Sequence, residues 1–140
     1  NKYYADYAEW QIMFEKLLPY LRDDVILIGH SLGSCFLFKY LSENTLWITI
    51  QAFFSVWWAM TDSEEEFLGS FTPDRKSIQN LWVEKLYLIH STDDPVVPFS
   101  DFEILDNHLS GHQTMIFKDR GHFLGENFPE IIAELKKILF

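Results

Sequence analysis

The chain has 140 residues, 48% of them hydrophobic and 17% aromatic, a length and an apolar content that suit one folded domain and exclude a disordered one. With 21 acidic residues against 11 basic ones the formal net charge is −10, which sets the chain against nucleic acid, anionic membrane surfaces and strongly anionic substrates. A single cysteine, Cys35, leaves no internal disulfide and no cysteine-based metal site, and makes a reducing cytoplasm the expected compartment.

Residues 9–21 put Trp10, Met13, Phe14, Leu17, Leu18 and Leu21 on one helical stripe. Pro19 is expected at or near the end of that helix, because an interior proline forfeits a hydrogen bond. Arg22, Asp23 and Asp24 form a polar turn into an apolar strand over 25–28. No stretch here or later is long and apolar enough to span a bilayer, and no basic-then-apolar leader opens the chain, so no membrane partner is expected.

The strand runs directly into Gly29-His30-Ser31-Leu32-Gly33, and residues 34–41 follow with helix-like apolar spacing and no Gly or Pro. A strand that ends in Gly-x-Ser-x-Gly and opens into a helix reads as a nucleophile elbow. The turn pushes a serine hydroxyl into the open, and a side chain at position 29 or 33 is expected to collide with neighbouring backbone. A chance match in a chain of this length is on the order of 5%, and the flanking strand and helix lower it further. The plainer reading is a tight strand-to-helix turn in which Ser31 caps the helix.

That helix closes near Ser42-Glu43-Asn44, and 45–54 reads as a buried strand. Residues 55–80 are less regular: an apolar stretch with Trp57 and Trp58, a helix start with acids over 61–66, a loop over 67–73 and a short helix over 74–82. Trp57, Trp58, Phe67 and Phe71 suit core packing first and the lining of an acyl pocket second. A strand over 86–90, a helix over 100–110, a strand over 114–117 and a closing helix over 128–140, with Pro129 at its start, complete the chain. Strands alternating with helices, each strand almost continuously apolar, predict an α/β fold: a three-layer α/β/α sandwich around a mostly parallel sheet, as one domain over 1–140.

In such sheets the chemistry lies in the loops at the carboxyl ends of the strands. A serine hydroxyl needs a base, and the base needs an orienting carboxylate. The loops supply them in the order serine, acid, histidine. After strand 86–90 comes Ser91-Thr92-Asp93-Asp94-Pro95, and after strand 114–117 comes Lys118-Asp119-Arg120-Gly121-His122. The predicted triad is Ser31, Asp94 and His122. Asp93 is the alternative acid and Asp119 a weaker one. Pro95 biases Asp94 toward extended backbone at the strand end.

Among the other histidines, His30 points away from Ser31 if the turn is normal, His90 is packed or hydrogen-bonded, and His108 and His112 are solvated. The backbone N–H of Leu32, at a helix N-terminus, is the predicted oxyanion donor. The second donor belongs on a loop after an earlier strand, and before residue 25 only a helix is visible. Cys35 reads as a small buried hydrophobe. No spacing suits a metal and no glycine-rich phosphate loop occurs, so no cofactor is expected.

Taken together, Gly29-His30-Ser31-Leu32-Gly33, Gly69-Ser70-Phe71-Thr72, Ser91-Thr92-Asp93-Asp94-Pro95 with Val97-Pro98-Phe99, Gly121-His122-Phe123 and the helix bearing Trp10 resemble the α/β-hydrolase superfamily. Within it the chain is most similar to small serine hydrolases of the retinoblastoma-binding protein nine and YdeN type. The resemblance spans nearly the whole chain and puts the family triad on Ser31, Asp94 and His122. It also implies a first strand and an oxyanion loop that this sequence lacks, hence a domain that is N-terminally incomplete. The Leu-x-Cys-x-Glu pattern for retinoblastoma pocket binding is absent, so no such partner is implied.

The expected function is therefore hydrolysis of a small ester, thioester or amide through an acyl-enzyme. The alternatives are a non-catalytic binding protein on the same fold, or an acyltransferase with the same triad.

Overall fold

The computed structural model describes residues 5–56 and 68–140. The predicted helix start over 61–66 and the roles considered for Trp57, Trp58 and Phe67 lie outside the described residues. Four strands, β1 (Val25–His30), β2 (Ile50–Val56), β3 (Leu86–Ser91) and β4 (Gln113–Phe117), form one sheet in the order β1-β2-β3-β4. All three pairings are parallel, with His30 opposite Val56, Val56 opposite Ile89 and Ser91 opposite Phe117. Their carboxyl ends therefore share one edge of the sheet.

Among the described residues four α-helices accompany them: α1 (Tyr7–Leu17), α2 (Leu32–Glu43), α3 (Phe99–His108) and α4 (Pro129–Leu139). Strand alternation divides the core into two. On one face Phe53, Leu86 and Leu88 pack with Phe36, Phe38 and Tyr40 of α2, with Phe102 and Leu105 of α3, and with Tyr7 of α1. On the other face Ala52, Phe54, Val56, Tyr87 and Ile89 pack with Phe123 and with Ile131 of α4. This is the expected three-layer α/β/α sandwich, with α4 alone among the described helices on its side. Phe54 and Tyr87 stack with ring centres 4.3 Å apart across the β2–β3 pair. No helix among the described residues is long and apolar enough to cross a membrane.

Several boundaries differ from the sequence reading, each for a local reason. Helix α1 begins two residues early because Asp6 caps it, its Oδ1 accepting from the backbone N–H of Ala8 at 3.0 Å and of Glu9 at 3.3 Å. It stops at Leu17, and Pro19 sits in a single 3₁₀ turn over Leu18–Tyr20. Only part of the predicted stripe is buried: Trp10 and Phe14 pack on Phe36, whereas Met13 and Leu17 are 62% and 51% exposed. Strand β2 starts at Ile50 rather than near residue 45, since β1 begins to pair only where Val25 meets Ile50. The short helix expected over 74–82 is a 3₁₀ turn, Ser77–Asn80, whose start is tied by the Asp74 carboxylate. Phe71 is core, packed against Tyr7 and Trp10.

Candidate active site

The turn from β1 into α2 is tight. Ser31 has φ 55 and ψ −128, a left-handed conformation that costs a non-glycine residue about 1–3 kcal/mol. Its N–H donates to the carbonyl of Val56 at the end of β2, 3.1 Å away, and its own carbonyl accepts from Ser34 and Cys35 in the first turn of α2. The Ser31 side chain makes no capping hydrogen bond. That removes the plainer reading, in which the hydroxyl serves the helix.

The two glycines of the motif have different roles. A Cβ on Gly29 would lie 2.7 Å from Cα and 2.8 Å from N of Ser34, so nothing larger than hydrogen fits between the strand end and the helix. A Cβ on Gly33 would meet nothing within 4 Å, contrary to the expected collision there. Gly33 stands inside α2 and faces open space. Leu32 is the first residue of α2, so its N–H belongs to the unpaired first turn of that helix.

The acid loop follows β3. The carboxylate of Asp94 folds back on its own loop: Oδ1 accepts from the N–H of Val96 at 2.7 Å and of Val97 at 3.1 Å. Pro95 and Pro98 bracket that loop. The side chain of Asp94 is fully buried, and its Oδ2 lies 3.1 Å from Nδ1 of His122. Nδ1–H therefore donates to the carboxylate, and the ring lone pair is on Nε2, the tautomer a general base needs. His122 comes from the loop after β4 and is itself largely covered, its side chain 11% exposed.

The loop that carries His122, the candidate base and hence the base loop below, reaches the elbow through His30. The Nε2–H of His30 donates to the backbone carbonyl of His122 at 2.9 Å, and the two rings meet edge to face with centres 5.2 Å apart. His30 thus faces the loop that carries His122 and ties it to the residue next to the candidate nucleophile.

The rival acids are engaged elsewhere. Asp93 Oδ1 accepts from the Ser91 hydroxyl at 2.5 Å and from the Gly121 N–H at 2.9 Å, and these bonds hold its carboxyl below the usual carboxylate range. Asp119 pairs with Arg120 at 3.3 Å on an open surface. Arg120 also binds Glu130 of α4 and lies over the Phe117 ring.

The other histidines are structural. His90 is fully buried against Phe99 and Phe102, its Nδ1–H donating to the Ser91 carbonyl at 2.8 Å, and burial pushes its pKa down. His108 and His112, expected to be solvated, are hydrogen-bonded: His108 to the Arg75 carbonyl and His112 to Asp106, each at 2.7 Å. The sequence sets Asp93 and Asp94 side by side and leaves either as the orienting acid; their different partners, the Gly121 N–H and the His122 ring, lie 28 residues away and carry no local signal.

Comparison with known proteins follows the same lines. The chain is 27% identical over 131 residues to the serine hydrolase RBBP9 of Rattus norvegicus, covering 87% of this chain and 68% of that protein. It superposes on the ydeN gene product of B. subtilis with a TM-score of 0.80 at 22% identity, over 96% of this chain and 76% of that one. It superposes on the esterase domain of a Rhodothermus marinus protein with a TM-score of 0.60 at 17% identity, over 81% of this chain and 57% of that one. No protein-family model matches the chain.

Proposed function

We propose, for a chain that has the α/β-hydrolase fold and resembles the small serine hydrolases of the RBBP9 and YdeN type, that Ser31, His122 and Asp94 act together to cleave a small ester, thioester or amide. The observation that carries this reading is the pairing of Asp94 with Nδ1 of His122 at 3.1 Å, on a loop drawn to the residue beside Ser31. Ser31 attacks the acyl carbon as His122 Nε2 takes its proton. The bond to the leaving group breaks as the same nitrogen returns that proton. Asp94 fixes the imidazole tautomer and stabilises the imidazolium while it exists, without itself taking the proton. The N–H of Leu32, at the positive end of α2, faces the charge that develops on the acyl oxygen. Water attacks the acyl-enzyme by the same route in reverse.

A net charge of −10 favours neutral or cationic acyl substrates over anionic ones. The test is intact-mass spectrometry after treatment with a fluorophosphonate, on the wild type and on Ser31→Ala. One adduct on the wild type and none on the variant is expected. An adduct that persists in Ser31→Ala removes Ser31 from the chemistry; a folded wild type that takes no adduct favours a binding role on the same fold.

A further inference from the structure

We propose that Asp93, working with Ser91, is a positioning residue that fastens the base loop to the acid loop and so sets where His122 stands; the proposal rests on the triad reading above. Two successive backbone amides just before the base, those of Arg120 and Gly121, are both held by side chains from the end of β3. Arg120 N–H donates to Ser91 Oγ at 3.1 Å, and Gly121 N–H donates to Asp93 Oδ1 at 2.9 Å. The Ser91 hydroxyl in turn donates to the same Asp93 oxygen at 2.5 Å. Ser91 is fully buried, so its hydroxyl has fixed partners, one donated bond and one accepted.

The latch matters because the loop around His122 is strained and closed by a single turn bond of its own, from the Phe123 N–H to the Arg120 carbonyl at 3.0 Å. Residues on both sides of His122 have positive φ, Gly121 at 51 and Phe123 at 54, and Phe123 has no glycine's freedom there. A non-glycine residue keeps such a conformation only where its surroundings over-determine it. Phe123 is buried against Phe117 and Phe128 on one side of the loop, and the Ser91–Asp93 pair supplies the polar anchor on the other. Asp94 sits one residue beyond that anchor. The same short segment thus carries the acid that orients the imidazole and the acid that locates its backbone. A base displaced by about 1 Å costs on the order of 10²-fold in rate.

The experiment uses the full chain and the hydrolysis of a p-nitrophenyl ester, with Asp93→Ala, Asp93→Asn and Ser91→Ala beside Ser31→Ala. Asp93→Ala is expected to lower kcat about 10- to 100-fold with KM within about twofold. Asp93→Asn keeps an acceptor oxygen for the Gly121 N–H and is expected to recover most of that loss. Ser91→Ala should fall between the two. Amide hydrogen exchange at Arg120 and Gly121 should quicken in Asp93→Ala while exchange at Ser31 and in β3 stays at the wild-type rate.

Unchanged kcat in Asp93→Ala, an Asp93→Asn variant as slow as Asp93→Ala, or unaltered exchange at Gly121 would each overturn the proposal. If Ser31→Ala keeps wild-type turnover, the triad reading fails separately, and the exchange rates still decide whether the latch exists.

Discussion

The elbow and the base loop are both strained turns at the same edge of one sheet, yet they are held in different ways. At the elbow the restraint is steric: Gly29 lies so close to Ser34 that a single added carbon would collide at 2.7 Å, and the strand and helix hold Ser31 at φ 55 between them. At the base loop the restraint is polar: Asp93 and Ser91 grip the amides of Gly121 and Arg120, Arg120 binds Glu130, and His30 binds the carbonyl of His122. A steric restraint is indifferent to pH and intolerant of volume. A polar restraint is tolerant of volume and exposed to any change of charge. The two halves of the candidate site should therefore fail under different insults.

On the proposed triad reading, the largest effects are expected at Ser31 and Asp94, one on either side. Ser31→Ala should lower turnover by about 10⁴-fold or more, and Asp94→Asn, which spoils the histidine tautomer without changing shape, by roughly 10³- to 10⁴-fold. Steady-state kinetics on a p-nitrophenyl ester measure both. A Ser31→Ala variant that keeps a tenth of the wild-type rate would sink the assignment.

Next, Gly29→Ala should destabilise the fold by about 1–3 kcal/mol through its clash with the Ser34 backbone. Gly33→Ala should be neutral, or stabilising by up to about 1 kcal/mol, because alanine suits a helix better than glycine and nothing stands in its way. Urea midpoints compare them, and equal losses in the two would mean that the elbow is not limited by volume.

The smallest effect is a pH slope on the polar side. His90 lies under the acid loop, and burial lowers its pKa from the ordinary 6.5. Below that value the unfolded chain binds a proton that the folded chain refuses. Stability is therefore complete above about pH 6.5 and declines as pH falls toward the lowered folded value. His90→Asn, which retains a donor for the Ser91 carbonyl, should flatten the slope of urea midpoint against pH between 6.5 and 5. A slope left unchanged would assign it to other groups.

Much of the architecture was legible because hydrophobic period and turn chemistry act locally. The runs 25–28, 86–90 and 114–117 are mostly apolar, and each lies in a strand of the parallel sheet. The pentapeptide from Gly29 to Gly33 marked the elbow, since a strand-to-helix turn of that tightness needs a glycine at its close approach. What escaped was set by partners distant in sequence. His30 finds the carbonyl of a residue 92 positions away, and Ser91 the amide of one 29 away. Neither has a pattern of its own. The start of β2 is set the same way: 45–49 is as apolar as a strand, but the pairing with β1 begins only where Val25 meets Ile50. Gly33 misled in the other direction, because the motif names two glycines and this fold needs only one of them for space.

The backbone angle at Ser31 has a consequence for the evolution of the chain. A serine held at φ 55 makes the folded state pay for readiness, and glycine at the same position would be at ease. Ser31→Gly is therefore expected to melt a few degrees higher than the wild type, by roughly 1 kcal/mol of relief, while doing no chemistry. On the proposed reading, selection for heat resistance alone would discard the candidate nucleophile, and selection for turnover would keep a serine there.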